Sequence, residues 1–384
     1  MKKRGMMEVQ FNWIFILFVG ALIILFFTKV IYNQKVIADR KLSVEILDQL
    51  TLLSTGAEVA TSTASEIDLS RNSIGFECDE CNCRYYVRNL GEKDFEYINK
   101  RALFAPSIVE GEKILTWALD WNMPYKVSNF LFITSPEIRY VFIYGSPPIP
   151  DELQEIMDKL PEQINVGNEG GGRGGVLNYI NDFEYQNEYL VKIILYDNIG
   201  DYSTQSEVNT ALGSLLNNQL KDVEEWRISL IRVDPEPSAT PGRLSYVGKI
   251  DFYKVEDGQF VEDGESKTHY LGDTSLIGAI LVDNYDAYVC PMESAFQRLN
   301  YVSAVYRGRT IDLSTQIAGN QKCEATYEDA IQFINEIETK SQSFFRSFGP
   351  NDSAMSYIYE RAFSVGKLED LNDRIILFSC PEIF

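Results

Sequence analysis

The sequence is poor in histidine, since His269 is the only one among 384 residues. A metal site that needs two imidazole ligands is therefore excluded, and a catalytic triad has a single candidate base. His269 lies in the polar stretch ESKTHYLG, which is typical of a surface position, and no GxSxG motif supplies a nucleophile. The sequence thus disfavours a Ser-His-Asp hydrolase.

Nucleotide-binding motifs are also lacking. The glycine-rich stretch NEGGGRGGV, residues 168–176, does not have the Lys and Ser/Thr ending of a P-loop. It also lacks the glycine pattern that a dinucleotide fingerprint places directly between a strand and a helix. We interpret it as a flexible surface loop and expect no cofactor.

Positive charge is scarce, because 35 Lys and Arg residues stand against 56 Asp and Glu, for a net charge of −21. Proteins that bind nucleic acid draw much of their affinity from Lys and Arg that neutralise phosphates. We therefore expect no nucleic-acid partner. The 45% content of hydrophobic residues is ordinary for a folded globular protein.

Charge is wholly absent from the apolar segment that begins at Val9 and ends at Thr28. A helix of this length rises about 1.5 Å per residue and spans the hydrocarbon core of a bilayer, which is about 30 Å thick. The segment is too long for the apolar part of a signal peptide, and no small-x-small cleavage site follows it. We therefore predict a retained transmembrane helix with the lipid bilayer as its partner.

The orientation of this helix is set weakly by its flanks, since three basic residues precede the segment and four lie between residues 29 and 41. A short basic tail usually stays in the cytoplasm, and six cysteines fit an oxidising compartment. We predict localisation in the cell membrane as a single-pass protein, with a cytoplasmic N-terminus and an extracytoplasmic C-terminal domain.

The sequence pattern changes three times after the membrane-proximal helix. No Pro or Gly interrupts residues 30–55, which predicts that the helix continues as an amphipathic stalk. Short strands follow, then apolar strands that alternate with helices, and then a mostly helical last third. The predicted fold class is α/β: transmembrane helix and stalk, β-rich layer, and a Rossmann-like or flavodoxin-like sheet with a C-terminal helical cap. The predicted domains are residues 1–60, 61–135 and 136–384.

The six cysteines are Cys78, Cys81, Cys83, Cys290, Cys323 and Cys380. In an oxidising compartment they form up to three disulfides, and we predict a pair of Cys290 with Cys323 because each lies at the edge of a predicted helix. Alternatively, the C-x-x-C-x-C cluster supplies three thiolates to Zn²⁺, with the fourth ligand coming from a distant part of the chain. Redox exchange is a further alternative, although acidic neighbours raise the pKa of a thiol.

Three carboxylates follow predicted strands, namely Asp197, Asp201 and Asp234. Because α/β sheets bind ligands at the carboxyl ends of their strands, these side chains are candidate ligands for a divalent cation. They are equally suited to helix capping and turns, which need no metal.

Three parts of the sequence carry a resemblance: the opening KKRGMMEVQFNWIFILFVGALIILFF, the stretch YVCPMESAFQRLNYVSAVYRGR and the ending SCPEIF. Together they resemble an uncharacterised family of membrane-anchored proteins from small-genome archaea, which implies no known activity. The basic run followed by Gly5 and an apolar helix also resembles the class III signal of archaeal pilins. That signal usually has a glutamate at the fifth position after cleavage, whereas Glu8 is the third residue after Gly5.

The function expected from these features is that of a non-enzymatic, single-pass cell-envelope protein with an extracytoplasmic binding or structural domain. Its expected partners, besides the bilayer, are another protein or further copies of itself. One alternative is an extracytoplasmic hydrolase or metal-dependent enzyme that uses the three aspartates. The other is a pilin-like filament subunit.

Overall fold

The computed structural model describes most of the chain, and its described residues are 4–56, 64–69, 72–79, 81–88, 95–98, 101–144, 149–168, 190–196, 204–235, 247–317, 319–344 and 368–384. The helices are α1 (Arg4–Gly56), α2 (Asp151–Asp158), α3 (Gln205–Ser214), α4 (Asp273–Leu281), α5 (Tyr285–Gln316) and α6 (Gln321–Phe344). A further helical segment covers residues 368–377.

The first eight strands are β1 (Ser65–Asp68), β2 (Ile74–Asp79), β3 (Asn82–Val87), β4 (Phe95–Tyr97), β5 (Leu103–Phe104), β6 (Ile108–Val109), β7 (Lys113–Asn122) and β8 (Lys126–Thr134). The next six are β9 (Ile138–Tyr144), β10 (Asn165–Asn168), β11 (Leu190–Tyr196), β12 (Ile228–Pro235), β13 (Val247–Glu256) and β14 (Gln259–Leu271).

Helix α1 presents two different surfaces along its length. Over Phe15–Lys35 it is long and apolar enough to cross a membrane, and none of this stretch is buried. Near its end, Ile46 and Leu50 are at most 3% exposed and pack against strands of the β-rich layer. Thr51 Oγ1 also lies 2.6 Å from the hydroxyl of Tyr85. The last turns of α1 therefore belong to the folded core, whereas its apolar half does not.

Two four-stranded sheets form the β-rich layer. One has the order β1-β7-β8-β5 and is antiparallel except for the β5–β8 pair, and the other has the antiparallel order β4-β3-β2-β6. Inward side chains of both sheets share one hydrophobic cluster with the last turns of α1. The stalk and the layer are thus joined by apolar burial, which is the main favourable term in folding.

A six-stranded mixed sheet follows, with the order β10-β9-β11-β12-β13-β14. Strands β10, β9, β11 and β12 run parallel, and β13 and β14 are antiparallel additions at one side. All residues of β11 are buried, as expected for a parallel strand that is covered on both faces. The predicted α/β class with an apolar N-terminal helix is confirmed at this level.

The two faces of the six-stranded sheet belong to different hydrophobic clusters. Helix α3 covers one face. The other face belongs to a larger cluster that includes α2, α4, α5 and α6 and extends to β7 and β8 of the β-rich layer. Gly278 allows α4 to lie close to β5, because a Cβ at this position would lie 2.7 Å from the Phe104 ring. Helix α4 is therefore enclosed between the two sheets.

Three disulfides connect the six cysteines, and they join Cys78 to Cys83, Cys81 to Cys290, and Cys323 to Cys380. The predicted Cys290–Cys323 pair is therefore wrong. Cys290 does not lie at a helix edge, because α5 begins at Tyr285 and accommodates Pro291 in its interior. From this position Cys290 faces the β2–β3 hairpin, whereas Cys323 in the first turn of α6 faces the C-terminal segment.

Candidate functional site

A groove of about 880 Å³ lies at the amino ends of β11 and β12. Leu190, Ile228 and Ser229 line it from the sheet, and Asp283 lines it from the short connection between α4 and α5. The residues just before β12 and the β13–β14 hairpin supply further lining. This edge is opposite to the carboxyl edge, where α/β sheets most often bind ligands.

Asp283 connects three parts of the fold at this groove. Its Oδ1 atom accepts a hydrogen bond from Lys192 Nζ and lies 3.4 Å from Ser229 Oγ. Its Oδ2 atom accepts from the backbone N–H of Ser107, 2.5 Å away. The carboxylate therefore links the six-stranded sheet, the β5–β6 connection and the start of α5.

Lys192 is a buried cation, with a side chain that is only 3% exposed. It is directly opposite Ser229 in the register of β11 and β12, so both side chains lie on the same face of the sheet. Burial lowers the pKa of Lys192, and the adjacent Asp283 carboxylate opposes that shift. Lys192 and Asp283 therefore form an ion pair beside the groove, which Asp283 lines.

The groove wall is predominantly negative. Lys254 makes contacts of 2.9 Å with Glu256 and 3.7 Å with Asp263, which leaves less of its charge for a ligand. The lining residues that carry charge are the acids Glu224, Glu225, Glu256, Asp263, Asp283 and Asp286, and the bases Arg227 and Lys254. A positively charged ligand is therefore favoured over an anion at this surface.

Trp226 adds an aromatic surface to the groove and is 49% exposed. The guanidinium carbon of Arg227 lies 5.0 Å from the centroid of the indole ring, within the range of cation–π contacts. The indole N–H donates to Glu224 Oε2 at 2.8 Å, which fixes the ring beside a carboxylate. An exposed ring next to carboxylates is a suitable surface for a Lys or Arg side chain.

Of the three aspartates predicted as metal ligands, only Asp234 is among the described residues. Asp197 and Asp201 lie outside the described residues. Asp234 lies near the end of β12, where its Oδ2 atom is 3.6 Å from Arg232 Nη2. Arg232 in turn binds the buried Asp251 at 2.9 Å, so Asp234 takes part in a charge network. This contact gives Asp234 a structural role that needs no metal.

The carboxyl edge of the sheet contains a partly buried tyrosine–carboxylate pair that lies close to the start of α2. The hydroxyl of Tyr196, at the end of β11, donates to Glu152 Oε2 at 2.9 Å. Desolvation raises the pKa of Glu152, and the hydrogen bond from Tyr196 opposes this. The pair anchors α2 to the end of β11.

A second convergence of reactive side chains lies at the β2–β3 hairpin. The Sγ atoms of Cys78, Cys83 and Cys290 all lie within 4.8 Å of one another, and Cys81 is bonded to Cys290. Among the described residues, Cys78, Cys83 and Cys290 form the one group of three or more Cys, His, Asp or Glu side chains placed closely enough to hold a metal ion.

No protein-family model, curated protein or solved structure matches the chain. The functional interpretation therefore rests on the residues and their geometry.

Sequence reasoning did not identify Lys192 or Asp283 as site residues. A signal for Lys192 was nevertheless present, because it is the single charged residue in the apolar strand LVKIILY. A charge in a strand that is buried on both faces requires a partner. No comparable signal marks Asp283, since the sequence around it also fits a simple helix connection.

Proposed function

We propose that this protein is a single-pass membrane protein whose α/β domain lies outside the cytoplasm and binds a positively charged segment of a partner protein. The observation that carries the proposal is the change along α1, which is exposed and apolar over Phe15–Lys35 and buried at Ile46 and Leu50. Exposing so many apolar side chains to water is unfavourable, and a bilayer removes this cost. The folded domain then begins directly at the membrane-proximal helix.

The three disulfides support an extracytoplasmic position, because disulfides persist in oxidising compartments and are rare in the cytosol. The parallel strand order β10-β9-β11-β12 corresponds to the first four positions of a flavodoxin-like sheet, which supports a doubly wound origin for this part of the fold. The antiparallel β13 and β14 then replace the usual fifth parallel strand.

The topology is tested by adding an impermeant protease to intact cells that express the full chain. We expect digestion of the α/β domain and protection of the N-terminal tail, because only the domain is outside. Membrane extraction at high pH should leave the undigested protein in the membrane fraction. Protection of the domain from the protease would contradict the proposal.

The groove is tested with an oligoarginine peptide titrated against the detergent-solubilised protein at low salt. The variant Glu224→Gln/Glu256→Gln removes two exposed groove carboxylates and should weaken binding at least about fivefold, or about 1 kcal/mol. The control Glu328→Gln/Asp329→Asn removes the same charge from exposed positions on α6. Equal weakening by both variants would show attraction to net charge alone and would contradict a specific groove.

A second candidate function is that of a subunit in a filament whose core is made of packed α1 helices. The observation that favours it is the uninterrupted length of α1, 53 residues, with its apolar part exposed and its end packed on the domain. In the same cells, mechanical shearing should then release the protein as sedimentable assemblies. Retention in the membrane after shearing favours the single-pass anchor instead.

A further inference from the structure

The hairpin between β2 and β3 brings three cysteines together with a fourth from α5. We propose that Cys78, Cys81, Cys83 and Cys290 bind one Zn²⁺ when they are reduced, and that the two disulfides are the oxidised form of this site. The proposal is independent of the groove and of its partner.

Three of the four sulfur atoms lie close to the spacing of a tetrahedral thiolate site. With Zn–S bonds of about 2.3 Å, the four sulfurs of such a site lie about 3.8 Å apart. The Sγ atoms of Cys78, Cys83 and Cys290 already lie within 4.8 Å of one another, and Cys81 Sγ is bonded to that of Cys290. Three of the four ligand sulfurs therefore already lie close together, and Cys81 completes the set by turning its side chain toward them once its bond to Cys290 is reduced.

The backbone of the hairpin brings its three cysteines close together in space. Cys78 and Cys83 are directly opposite each other in the β2–β3 register, with Cα atoms 4.0 Å apart. Cys81 lies in the turn between them with a φ of 60°, a left-handed conformation that is uncommon for a residue other than glycine. The C-x-x-C spacing of Cys78 and Cys81 is the spacing that zinc knuckles use.

The Cys78–Cys83 disulfide has little value as a chain constraint. It joins two residues that are five apart in sequence and are already paired in the hairpin. The chain-entropy model gives such a short loop about 2 kcal/mol, the smallest contribution of the three disulfides. A metal site gives a better reason for two cysteines at this position, because a tetrahedral site needs all four of its ligands.

The four cysteines border two cavities. Cys81, Cys83 and Cys290 line a cavity of about 300 Å³, and Cys78 lines the groove. Arg101 and Glu293 line the same cavity, so one base and one acid lie beside the cluster. The cluster thus lies between the groove and this smaller cavity.

Conversion between the two states balances with a phosphine as the reductant. Each disulfide consumes one phosphine and one water, and it gives two thiols and a phosphine oxide, a transfer of two electrons. Zinc binding by the four thiols then releases four protons. In the reverse direction, two equivalents of a low-molecular-weight disulfide are each reduced to two thiols, taking up four electrons and four protons. The ion is expelled and the two protein disulfides form again.

The test uses the full chain in detergent with Cys323 and Cys380 both changed to Ser, so that only the four cluster cysteines remain. After reduction with a water-soluble phosphine, we expect one Zn²⁺ per chain in a competition with a chromogenic chelator. Co²⁺ in place of Zn²⁺ should give the strong visible d–d absorption of a tetrahedral tetrathiolate. Zn²⁺ should also raise the thermal unfolding midpoint of the reduced protein, because a ligand that binds the folded state stabilises it.

The variants Cys290→Ser and Cys81→Ser each remove one ligand, and Cys81 is exposed in a turn, where the change leaves the core intact. In either variant we expect zinc affinity to fall at least about tenfold, because only three thiolates remain. The proposal is overturned if zinc binding is not stoichiometric or leaves the unfolding midpoint unchanged. Equal affinity in both variants and in their four-cysteine parent would overturn it as well.

Discussion

The variant Asp283→Ala is expected to lower the free energy of unfolding by about 3 to 5 kcal/mol at neutral pH, because it leaves the buried Lys192 without its counter-charge. Lys192 is 3% exposed, and Asp283 is its ion-pair partner. The same change also removes the acceptor for the backbone N–H of Ser107. Chemical denaturation monitored by tryptophan fluorescence measures the effect.

The loss should depend on pH in a defined direction. Burial lowers the pKa of Lys192 in the folded protein, and the Asp283 carboxylate opposes this, so the pKa falls further in the variant. Between the folded and unfolded pKa values the unfolded chain binds more protons, and stability therefore rises with pH. The deficit of the variant relative to the parent should therefore shrink as the pH rises from neutral toward the pKa of lysine in an unfolded chain, about 10.4.

Two further variants make this result specific. The double variant Lys192→Met/Asp283→Ala should recover part of the loss, since it removes both charges and keeps an apolar chain of similar length. Asp286→Ala changes an exposed acid in the first turn of α5 and should cost no more than about 1 kcal/mol. A loss for Asp283→Ala no larger than that for Asp286→Ala would show that the Lys192 pair contributes little.

The double variant Cys81→Ser/Cys290→Ser should lower the free energy of unfolding by up to about 5 kcal/mol under oxidising conditions. The reason is that this disulfide closes a loop between residues 209 apart and joins the β2–β3 hairpin to α5. Without it, the unfolded chain gains far more conformational freedom than it does on loss of a short loop.

The matched comparison is Cys78→Ser/Cys83→Ser, which opens a loop between residues only five apart and should cost about 2 kcal/mol. The denaturant midpoints of the two oxidised variants show directly which disulfide contributes more to stability. Peptide mapping of the non-reduced parent should also recover Cys81 linked to Cys290. A larger loss for the short-loop variant, or peptides that link Cys290 to Cys323, would contradict this connectivity.

The predictions that depended on local sequence are confirmed where the structure tests them. The absence of charge from Val9 to Thr28, and of Pro or Gly over residues 30–55, predicted an apolar helix that continues as a stalk. Helix α1 continues without interruption to Gly56. The apolar run LVKIILY predicted a buried strand, and all residues of β11 are buried. Both features follow from side-chain polarity and backbone preferences over a few consecutive residues. The division into domains and the side of the membrane stay predictions.

The cysteine pairing shows where local reasoning failed. Six cysteines allow fifteen pairings, and spacing alone does not choose among them. The predicted pair assumed that Pro291 begins a helix, whereas α5 begins at Tyr285 and contains Pro291. This places Cys290 on the helix surface that faces the β2–β3 hairpin, within bonding distance of Cys81.

The sequence by itself determined the apolar helix, the acidic surface charge and the mixed α/β character, because each depends on composition or on a short period along the chain. The tertiary structure alone decided which distant residues meet. Lys192 and Asp283 are 91 residues apart, and Cys81 and Cys290 are 209 apart. Such contacts depend on the packing of α5 between the sheets and on loop closure, and no local pattern encodes either. The groove and the four-sulfur cluster are both consequences of that packing.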